Sequence, residues 1–244
     1  MGKTFFIDTT RCTACRGCQV ACKEWKLLPA TETKQQGSHQ NPPDLNGSTL
    51  KVVRFHEYKT EAGKVVWNFF SDQCRHCLEP PCKDMANEYV KDAVVTDKKT
   101  GAVIYTEATK SLSKEAFEGM RESCPYNIPR RDEKTGLVMK CDMCYDRVNA
   151  GLLPMCVKAC PTKAMNFGDR DEMLKLAEQR LTVVKKEYPE AQLVDADFVN
   201  VIYLISDKPE RYHTAMVGED AFRMTRKTAL ARLLSPVNVF QNII

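Results

Sequence analysis

The stretch Cys12-Thr13-Ala14-Cys15-Arg16-Gly17-Cys18-Gln19-Val20-Ala21-Cys22 decides the fold, because it places four thiols within eleven residues. Three cysteines at successive three-residue steps can wrap a short loop around one corner of a 4Fe-4S cube. A fourth thiol, which follows after three intervening residues, points toward a second cube. The stretch therefore predicts one ligand set that is almost complete and one ligand that is lent to another cluster.

The remaining cysteines complete the set. The chain has 244 residues and twelve cysteines, and four ligands per cube divide these into three clusters with none left over. The eight cysteines beyond the first run are Cys74, Cys77, Cys82, Cys124, Cys141, Cys144, Cys156 and Cys160.

Two other uses of these cysteines are weaker alternatives. A disulfide framework suits short secreted chains, whereas this chain is long enough to bury a core, and cysteines three apart in one loop pair poorly. All-sulfur zinc sites draw two ligands from each of two local pairs. The first run here is three plus one, and both Cys124 and Cys160 are followed by proline. Iron-sulfur clusters are therefore favoured, with zinc as the main rival.

The pairing of the runs follows from bacterial two-cluster ferredoxins, in which the fourth cysteine of each run ligates the cluster of the other run. Applied here, this pattern predicts cluster A from Cys12, Cys15, Cys18 and Cys160, and cluster B from Cys141, Cys144, Cys156 and Cys22. Cluster C takes Cys74, Cys77, Cys82 and Cys124. This set has the pattern of a second pair of clusters with exchanged ligands from which one cluster has been lost. Ala86 stands where the fourth cysteine of the Cys74 run would follow, and no run of three cysteines precedes Cys124.

Composition excludes several other classes of protein. The net charge of +4 is small and dispersed, with no block of lysine and arginine, so a nucleic-acid partner is not expected. No run approaches the roughly 20 apolar residues of a membrane span. The apolar run at the N-terminus is too short for a signal-peptide core, so we expect the clusters to be assembled in the cytoplasm.

The pattern between the cysteines predicts a mixture of strands and helices. A polar stretch with paired prolines, 29–48, predicts a long loop that is either a partner-docking arm or a plain surface excursion. A basic amphipathic segment near the end, 221–234, predicts a helix that docks on a partner, lies at a membrane surface, or packs on its own domain. We predict strands at 3–8, 50–58, 64–70, 93–96, 102–106 and 199–205, and helices at 19–28, 113–122 and 173–188.

The chain shows no motif for substrate chemistry. It has neither a glycine-rich dinucleotide loop after a strand nor a nucleophile elbow, so three clusters indicate electron conduction. His76 lies inside a cysteine loop, where it would tune or pack rather than ligate. Arg75 and Lys140 stand beside predicted ligands, and they either stabilise an anionic cluster or are simply solvated.

Taken together, the motifs resemble a known family. The order of the cysteine groups, with Cys124-Pro125-Tyr126 and Cys156-Val157-Lys158-Ala159-Cys160-Pro161-Thr162, resembles the iron-sulfur subunits of molybdenum and tungsten bis-pterin oxidoreductases of the DMSO reductase type. Most of these hold four cubes. This sequence departs from that pattern by having cysteines for only three cubes. In this respect, and in the stretches Thr9–Cys18, His39–Asp44 and Met165–Asp169, it is similar to the beta subunits of the tungsten or molybdenum formate dehydrogenases of sulfate-reducing bacteria.

The resemblance implies partners and a place of work. It implies a large catalytic subunit with a tungsten or molybdenum bis-pterin site and one 4Fe-4S cluster, and a downstream acceptor such as a cytochrome c or a hydrogenase. It also implies a periplasmic location, reached by export with the catalytic partner, with the cytoplasm as the alternative. Alternative functions are service to a thiosulfate, polysulfide or sulfoxide reductase, or a free polyferredoxin-like carrier.

The predicted fold class is α+β, with one ferredoxin-like lobe inserted in another. The outer lobe, 1–30 plus 136–170, would hold clusters A and B. The inserted lobe, 50–135, would hold cluster C, and 171–244 would form a C-terminal helix and strand extension.

Overall fold

The structure is a computed structural model and describes residues 2–218. The basic segment 221–234, predicted as an amphipathic helix, lies outside the described residues. Within residues 2–218 no helix is both long enough and apolar enough to cross a bilayer.

Helices and strands alternate along the described residues, which agrees with the mixed α+β class. The α-helices are α1 Gly17–Trp25, α2 Pro81–Tyr89, α3 Lys114–Glu122, α4 Tyr145–Asn149, α5 Met155–Lys158 and α6 Arg170–Val184. The strands are β1 Lys3–Asp8, β2 Val52–Lys59, β3 Val65–Asp72, β4 Val94–Thr96, β5 Val103–Tyr105, β6 Arg130–Arg131, β7 Val138–Met139, β8 Met165–Asp169, β9 Gln192–Val194 and β10 Val201–Ile205.

The largest sheet has four strands in the order β8-β1-β10-β9. β1 pairs with β8 in antiparallel register and with β10 in parallel register, with Phe5 opposite both Phe167 and Val201. All five residues of β10 are buried, as expected for a continuous apolar run at the centre of a covered sheet. The predicted C-terminal extension therefore supplies two strands to the same sheet as β1 and β8.

The two faces of this sheet have different neighbours. Phe5 and Ile7 of β1 pack on one face with Tyr203 and with Cys156 of α5. Phe6 points to the other face, where it packs with Ala177 and Val184 of α6. Alternate side chains of a strand project to opposite faces, so β1 joins the thiol-bearing side of the molecule to its helical cover.

Residues 50–135 form the two predicted hairpins and the predicted helix α3, together with α2, which the sequence analysis did not predict. β2 and β3 pair from Val52 opposite Asp72 to Lys59 opposite Val65, and the turn contains Gly63 at φ 82°. α2 and α3 pack together through Ala86, Ala116 and Met120 against the β4–β5 hairpin. Ser113 caps α3 by accepting a hydrogen bond from the Ala116 amide at 3.1 Å.

The long loop 29–48 is irregular, as predicted, and its second half is tied to the rest of the chain. The Arg16 guanidinium donates to the His39 carbonyl at 2.9 Å, and the Gln19 amide donates to the Asn41 carbonyl at 2.8 Å. Asp44 forms ion pairs with both Arg54 and Arg130. These contacts fix residues 39–44 against the first cysteine helix and the β2–β3 hairpin.

Candidate metal centres

All twelve cysteines are free thiols, and eight of them line two cavities, with four thiols in each. Group A consists of Cys12, Cys15, Cys18 and Cys160, which line one cavity. Its other walls combine apolar side chains, among them Ile7, Val53, Phe69 and Met165, with polar side chains such as Thr9 and Ser71. Cys15 is exposed and the other three are half-buried, so this cavity lies close to the surface.

Group C consists of Cys74, Cys77, Cys82 and Cys124, which line a second cavity. The first three of these are buried and Cys124 is half-buried. Tyr105 and Tyr126 contribute aromatic walls, and Pro80 and Pro81 close one side. α3 ends at Glu122, two residues before Cys124, so this helix delivers the fourth thiol to a loop some 40 residues earlier in the chain.

The remaining four cysteines, Cys22, Cys141, Cys144 and Cys156, form group B: after burial, the charges of Cys22, Cys156 and Cys144 raise the pKa of Cys141. Burial, and then the negative charge of Cys144, raise the pKa of Cys22 to about 12. Burial likewise raises the pKa of Cys156 to about 12, and the charges of Cys22 and Cys144 add to the effect. The fourth cysteine of the first run thus lies with the later run, and Cys160 of the later run lies with the first.

Three cysteine loops share one backbone device. The residue two positions after Cys12, Cys74 and Cys141 has a positive φ: 53° at Ala14, 48° at His76 and 64° at Met143. Such angles are uncommon outside glycine. In two of these loops, the backbone N–H of the same residue donates a hydrogen bond to the cysteine sulfur: His76 N–H to Cys74 Sγ at 3.3 Å, and Met143 N–H to Cys141 Sγ at 3.4 Å. These amides stabilise negative charge on the sulfur, as a cluster ligand requires.

The donor set fits a multinuclear iron-sulfur group. Burial raises the pKa of Cys12 to about 11 and that of Cys82 to about 11, so these thiols lose their protons only to a strongly bound cation. In the described part of the chain, no three His, Cys, Asp or Glu side chains converge closely enough to hold a single metal ion. The thiols instead surround a space, which is the arrangement that a four-iron cube needs.

Arg75 and Lys140 are buried, at 1% and 6% exposure, so the interpretation that they are solvated is wrong. The Arg75 guanidinium lies 4.9, 4.8 and 4.5 Å from the ring centroids of Phe70, Tyr126 and Tyr203. It pairs with Asp72 at 3.2 Å, while its Nε and Nη2 are buried without a hydrogen-bond acceptor among the described residues. The charge of Arg75 lowers the pKa of Cys77, against the larger effect of burial.

Lys140 and His76 complete the surroundings of group C. Lys140 Nζ donates to the Cys141 carbonyl at 2.9 Å and lies 4.5 Å from the centroid of the Tyr105 ring. His76 accepts a hydrogen bond from the Val103 amide on Nδ1 at 3.0 Å, which places its own proton on Nε2. Burial, and then Lys140, hold the pKa of His76 well below 6.5, so this side chain packs as a neutral group.

The sequence prediction missed Lys51. This lysine is 2% exposed, and its Nζ donates to Gln73 Oε1 at 2.5 Å. The sequence did contain an indication that Lys51 is buried. It is a single charged residue within the otherwise apolar run Leu50–Val53, so burial of that run also buries the lysine.

The comparisons with known proteins agree with this geometry. A family model described as a 4Fe-4S dicluster domain matches residues 65–170. The fold and the thiol groups therefore define an iron-sulfur protein of the ferredoxin-like class.

The relatives are more specific. The chain is 60% identical over 213 residues to the "Formate dehydrogenase 2 subunit beta (cytochrome c-553)" of Nitratidesulfovibrio vulgaris, covering 87% of this chain and 97% of that protein. It is 51% identical to the formate dehydrogenase subunit beta of Megalodesulfovibrio gigas, covering 89% and 100%. It is 31% identical to one subunit of the anaerobic dimethyl sulfoxide reductase of Escherichia coli, covering 70% and 75%.

The protein belongs to the family of the iron-sulfur (beta) subunits of formate dehydrogenases. It is an electron-transfer subunit of an oxidoreductase complex and does not carry the catalytic site itself.

Proposed function

We propose that the chain conducts electrons through three 4Fe-4S clusters between the metal-pterin subunit of a formate dehydrogenase and an external acceptor. The observation that supports this proposal is that two cavities are each lined by four thiols, while the charges of the remaining four thiols act on one another. Formate oxidation, or the reduction of CO2, takes place in the catalytic partner. The residues of this chain hold the clusters, exclude water from them and set their charge.

The ligands are exchanged between the first and last cysteine runs. Cluster A takes Cys12, Cys15, Cys18 and Cys160, cluster B takes Cys141, Cys144, Cys156 and Cys22, and cluster C takes Cys74, Cys77, Cys82 and Cys124. The lining of the two cavities supports the sets for A and C. The mutual effects of the thiol charges support the set for B.

The clusters lie in the order A–B–C. Groups A and B meet in one part of the hydrophobic core, where Cys18 and Cys160 pack against the buried residues that include Cys156. Groups B and C meet in another, where Cys141 packs with Cys74 and Cys77. A path from A to C therefore passes through B. Because Cys15 is exposed, A is the end at which an electron can reach or leave a neighbouring protein over a short distance.

Two ferredoxin-like lobes carry these clusters, the outer from 1–30 and 136–170 and the inserted one from 50–135. The segment 200–205 holds the lobes together. The backbone N–H of Asn200 donates to the carbonyls of both Arg75 and His76 at 3.1 Å, beside cluster C. Strand β10 pairs with β1, beside cluster A. This connection supports a fixed spacing between the clusters of the two lobes.

The catalytic partner carries a tungsten or molybdenum bis-pterin site and one 4Fe-4S cluster, and the acceptor is a cytochrome c or a hydrogenase. The name of the Nitratidesulfovibrio vulgaris relative, which includes cytochrome c-553, favours a cytochrome. The complex works in the periplasm after export with the catalytic partner. Similarity to a dimethyl sulfoxide reductase subunit supports the second candidate, service to a sulfoxide, thiosulfate or polysulfide reductase.

The deciding experiment is purification of the native complex, followed by measurement of formate-dependent dye reduction and of the iron content of the separated subunit. We expect formate to reduce the dye and the subunit to contain about twelve iron atoms, four for each cluster. Activity with a sulfoxide or thiosulfate but not with formate would select the second candidate. Zinc in place of iron would refute the cluster assignment.

A further inference from the structure

Arg75 brings a buried positive charge to the wall of the group C cavity. The residue directly follows Cys74, is 1% exposed, and lines the cavity together with the four thiols. A guanidinium group stays protonated in proteins, so this charge is fixed. Among the described residues, Arg75 forms an ion pair with Asp72, which also pairs with Arg54.

One nitrogen of the Arg75 guanidinium is fully engaged. Nη1 donates to the Gln73 carbonyl at 2.6 Å, to Asp72 Oδ1 at 3.2 Å and to the Tyr203 hydroxyl at 3.3 Å. The guanidinium carbon also lies within 4.9 Å of the ring centroids of Phe70, Tyr126 and Tyr203. These contacts hold the side chain in one position.

The other edge of the guanidinium, formed by Nε and Nη2, has no hydrogen-bond acceptor among residues 2–218, although both atoms are buried. This edge is one of those with which arginine grips an anion, through two parallel N–H donors. The faces of the surrounding rings attract a cation but have no lone pair to accept these hydrogens. Buried donors are nearly always paired, because an unpaired one costs free energy.

The cavity that Arg75 lines would supply the acceptor. A cluster held by the four thiols of group C places negatively charged sulfur in this space, and sulfur accepts hydrogen bonds from N–H groups. Arg75 does not line the cavity of group A. Its unpaired edge therefore fits one cluster rather than the whole set.

We propose that the Nε–Nη2 edge of Arg75 donates hydrogen bonds to sulfur of cluster C and raises the reduction potential of that cluster. This inference rests on the proposed ligand set of cluster C. Reduction adds one electron to the cluster, delivered along the path of clusters or by a mediator, and the protons stay on Arg75. Positive charge and hydrogen bonds to sulfur stabilise the reduced state more than the oxidised state, and burial limits screening by water.

The first test is an EPR-monitored redox titration of the full chain with its clusters, in which Arg75 is replaced by Met. We expect one of the three clusters to become harder to reduce, with the ratio of reduced to oxidised cluster falling at least tenfold at a fixed potential. For a one-electron couple, this corresponds to a shift of about 59 mV. Cys124→Ala removes a proposed ligand of cluster C and should abolish the signal that shifts.

Two further variants separate the hydrogen bonds from charge and from general packing. Arg75→Lys keeps the charge but loses the paired donors, so we expect a smaller shift in the same direction. Arg131→Met is the matched control. Arg131 also lies over an aromatic ring, 4.8 Å from the centroid of Phe117, and its Nε is also buried without an acceptor among the described residues, but it lines neither thiol cavity. All three clusters should titrate in this variant as in the wild type.

The second test detects the contact itself. The chain is produced with arginine that carries 15N at its Nη atoms, reduced, and studied by pulsed EPR. We expect a hyperfine coupling between 15N and the reduced cluster in the wild type, and the loss of this coupling in Arg75→Lys.

Absence of the coupling from the wild type would overturn the inference. An Arg75→Lys variant that titrates like the wild type, an Arg75→Met variant with full iron and unchanged potentials, or an equal shift of all three clusters would do the same. Loss of cluster C from both Arg75 variants would also overturn it, because packing of the ligand loop would then be the role of the side chain. A wild-type protein without three clusters would instead refute the proposed function, so the two failures are distinguishable.

Discussion

Replacing Cys22 and Cys156 together by alanine will test the exchange of ligands between the first and last cysteine runs. In the structure both thiols belong to group B, and the charge of Cys22 raises the pKa of Cys156. Either substitution removes a ligand of the same cluster, so the second should cost no more iron than the first. The two changes are therefore expected to be strongly non-additive.

The magnitude follows from four iron atoms per cube. Each single variant and the double variant should fall from about twelve to about eight iron atoms per chain. If each run instead kept its own fourth cysteine, Cys22 and Cys156 would serve different clusters, and the double variant would hold about four. The two arrangements thus differ by a whole cluster, which is well beyond the error of a colorimetric iron assay.

Two matched pairs complete the design. Cys18→Ala with Cys160→Ala should again remove one cluster, because both thiols line the cavity of group A. Cys22→Ala with Cys160→Ala should remove two in either arrangement, and it calibrates the assay. Iron would be measured against protein concentration, and the surviving clusters would be counted by EPR spin quantitation after reduction. About four iron atoms in the Cys22/Cys156 variant would refute the exchange.

Three further predictions concern buried groups around the clusters. Tyr126→Phe removes a hydroxyl that donates to Asp195 Oδ2 at 2.7 Å, so urea unfolding should show a loss of about 1–3 kcal/mol, and an unchanged midpoint would contradict the role of this bond. Arg75→Met leaves the buried Asp72 with Arg54 as its ion-pair partner and should cost about 3 kcal/mol. Lys34→Met, at an exposed lysine, is the neutral comparison, and equal stability of the two variants would count against a structural role for the buried pair. Burial, and then the charge of Arg54, hold the pKa of His213 below 6.5, so the unfolded state binds more protons than the folded state and the stability should fall as the pH drops below about 6.5. In urea titrations between pH 7.5 and 5.5, His213→Gln should make the stability depend less steeply on pH. Equal slopes for the variant and the wild type would contradict this assignment.

Several elements could be predicted because their causes are local. The β2–β3 hairpin follows from β-branched and aromatic runs around a glycine turn, and α3 follows from the Ser113 cap and an amphipathic pattern. The three-residue cysteine steps likewise define a ligand loop within a few residues. Short-range sterics and hydrogen bonds decide such features, and neighbouring residues contain the information.

Other features depend on parts of the chain that are far apart. The parallel pairing of β10 with β1 joins residues almost 200 positions apart, and no spacing rule indicates that the last strand enters the first sheet. The backbone turns at Ala14, His76 and Met143 carry no glycine to signal their positive φ. They become visible only when the sulfur that receives the amide is placed.

The sequence by itself indicated that the chain binds iron-sulfur clusters through its cysteines and that it has no recognisable catalytic motif, because cysteine number and spacing are properties of the linear chain. Only the tertiary structure decided that β10 pairs with β1, and that Lys51, Arg75 and Lys140 are buried rather than solvated. The physical reason is that the environment of a charge is set by everything that packs around it, and those neighbours come from distant segments.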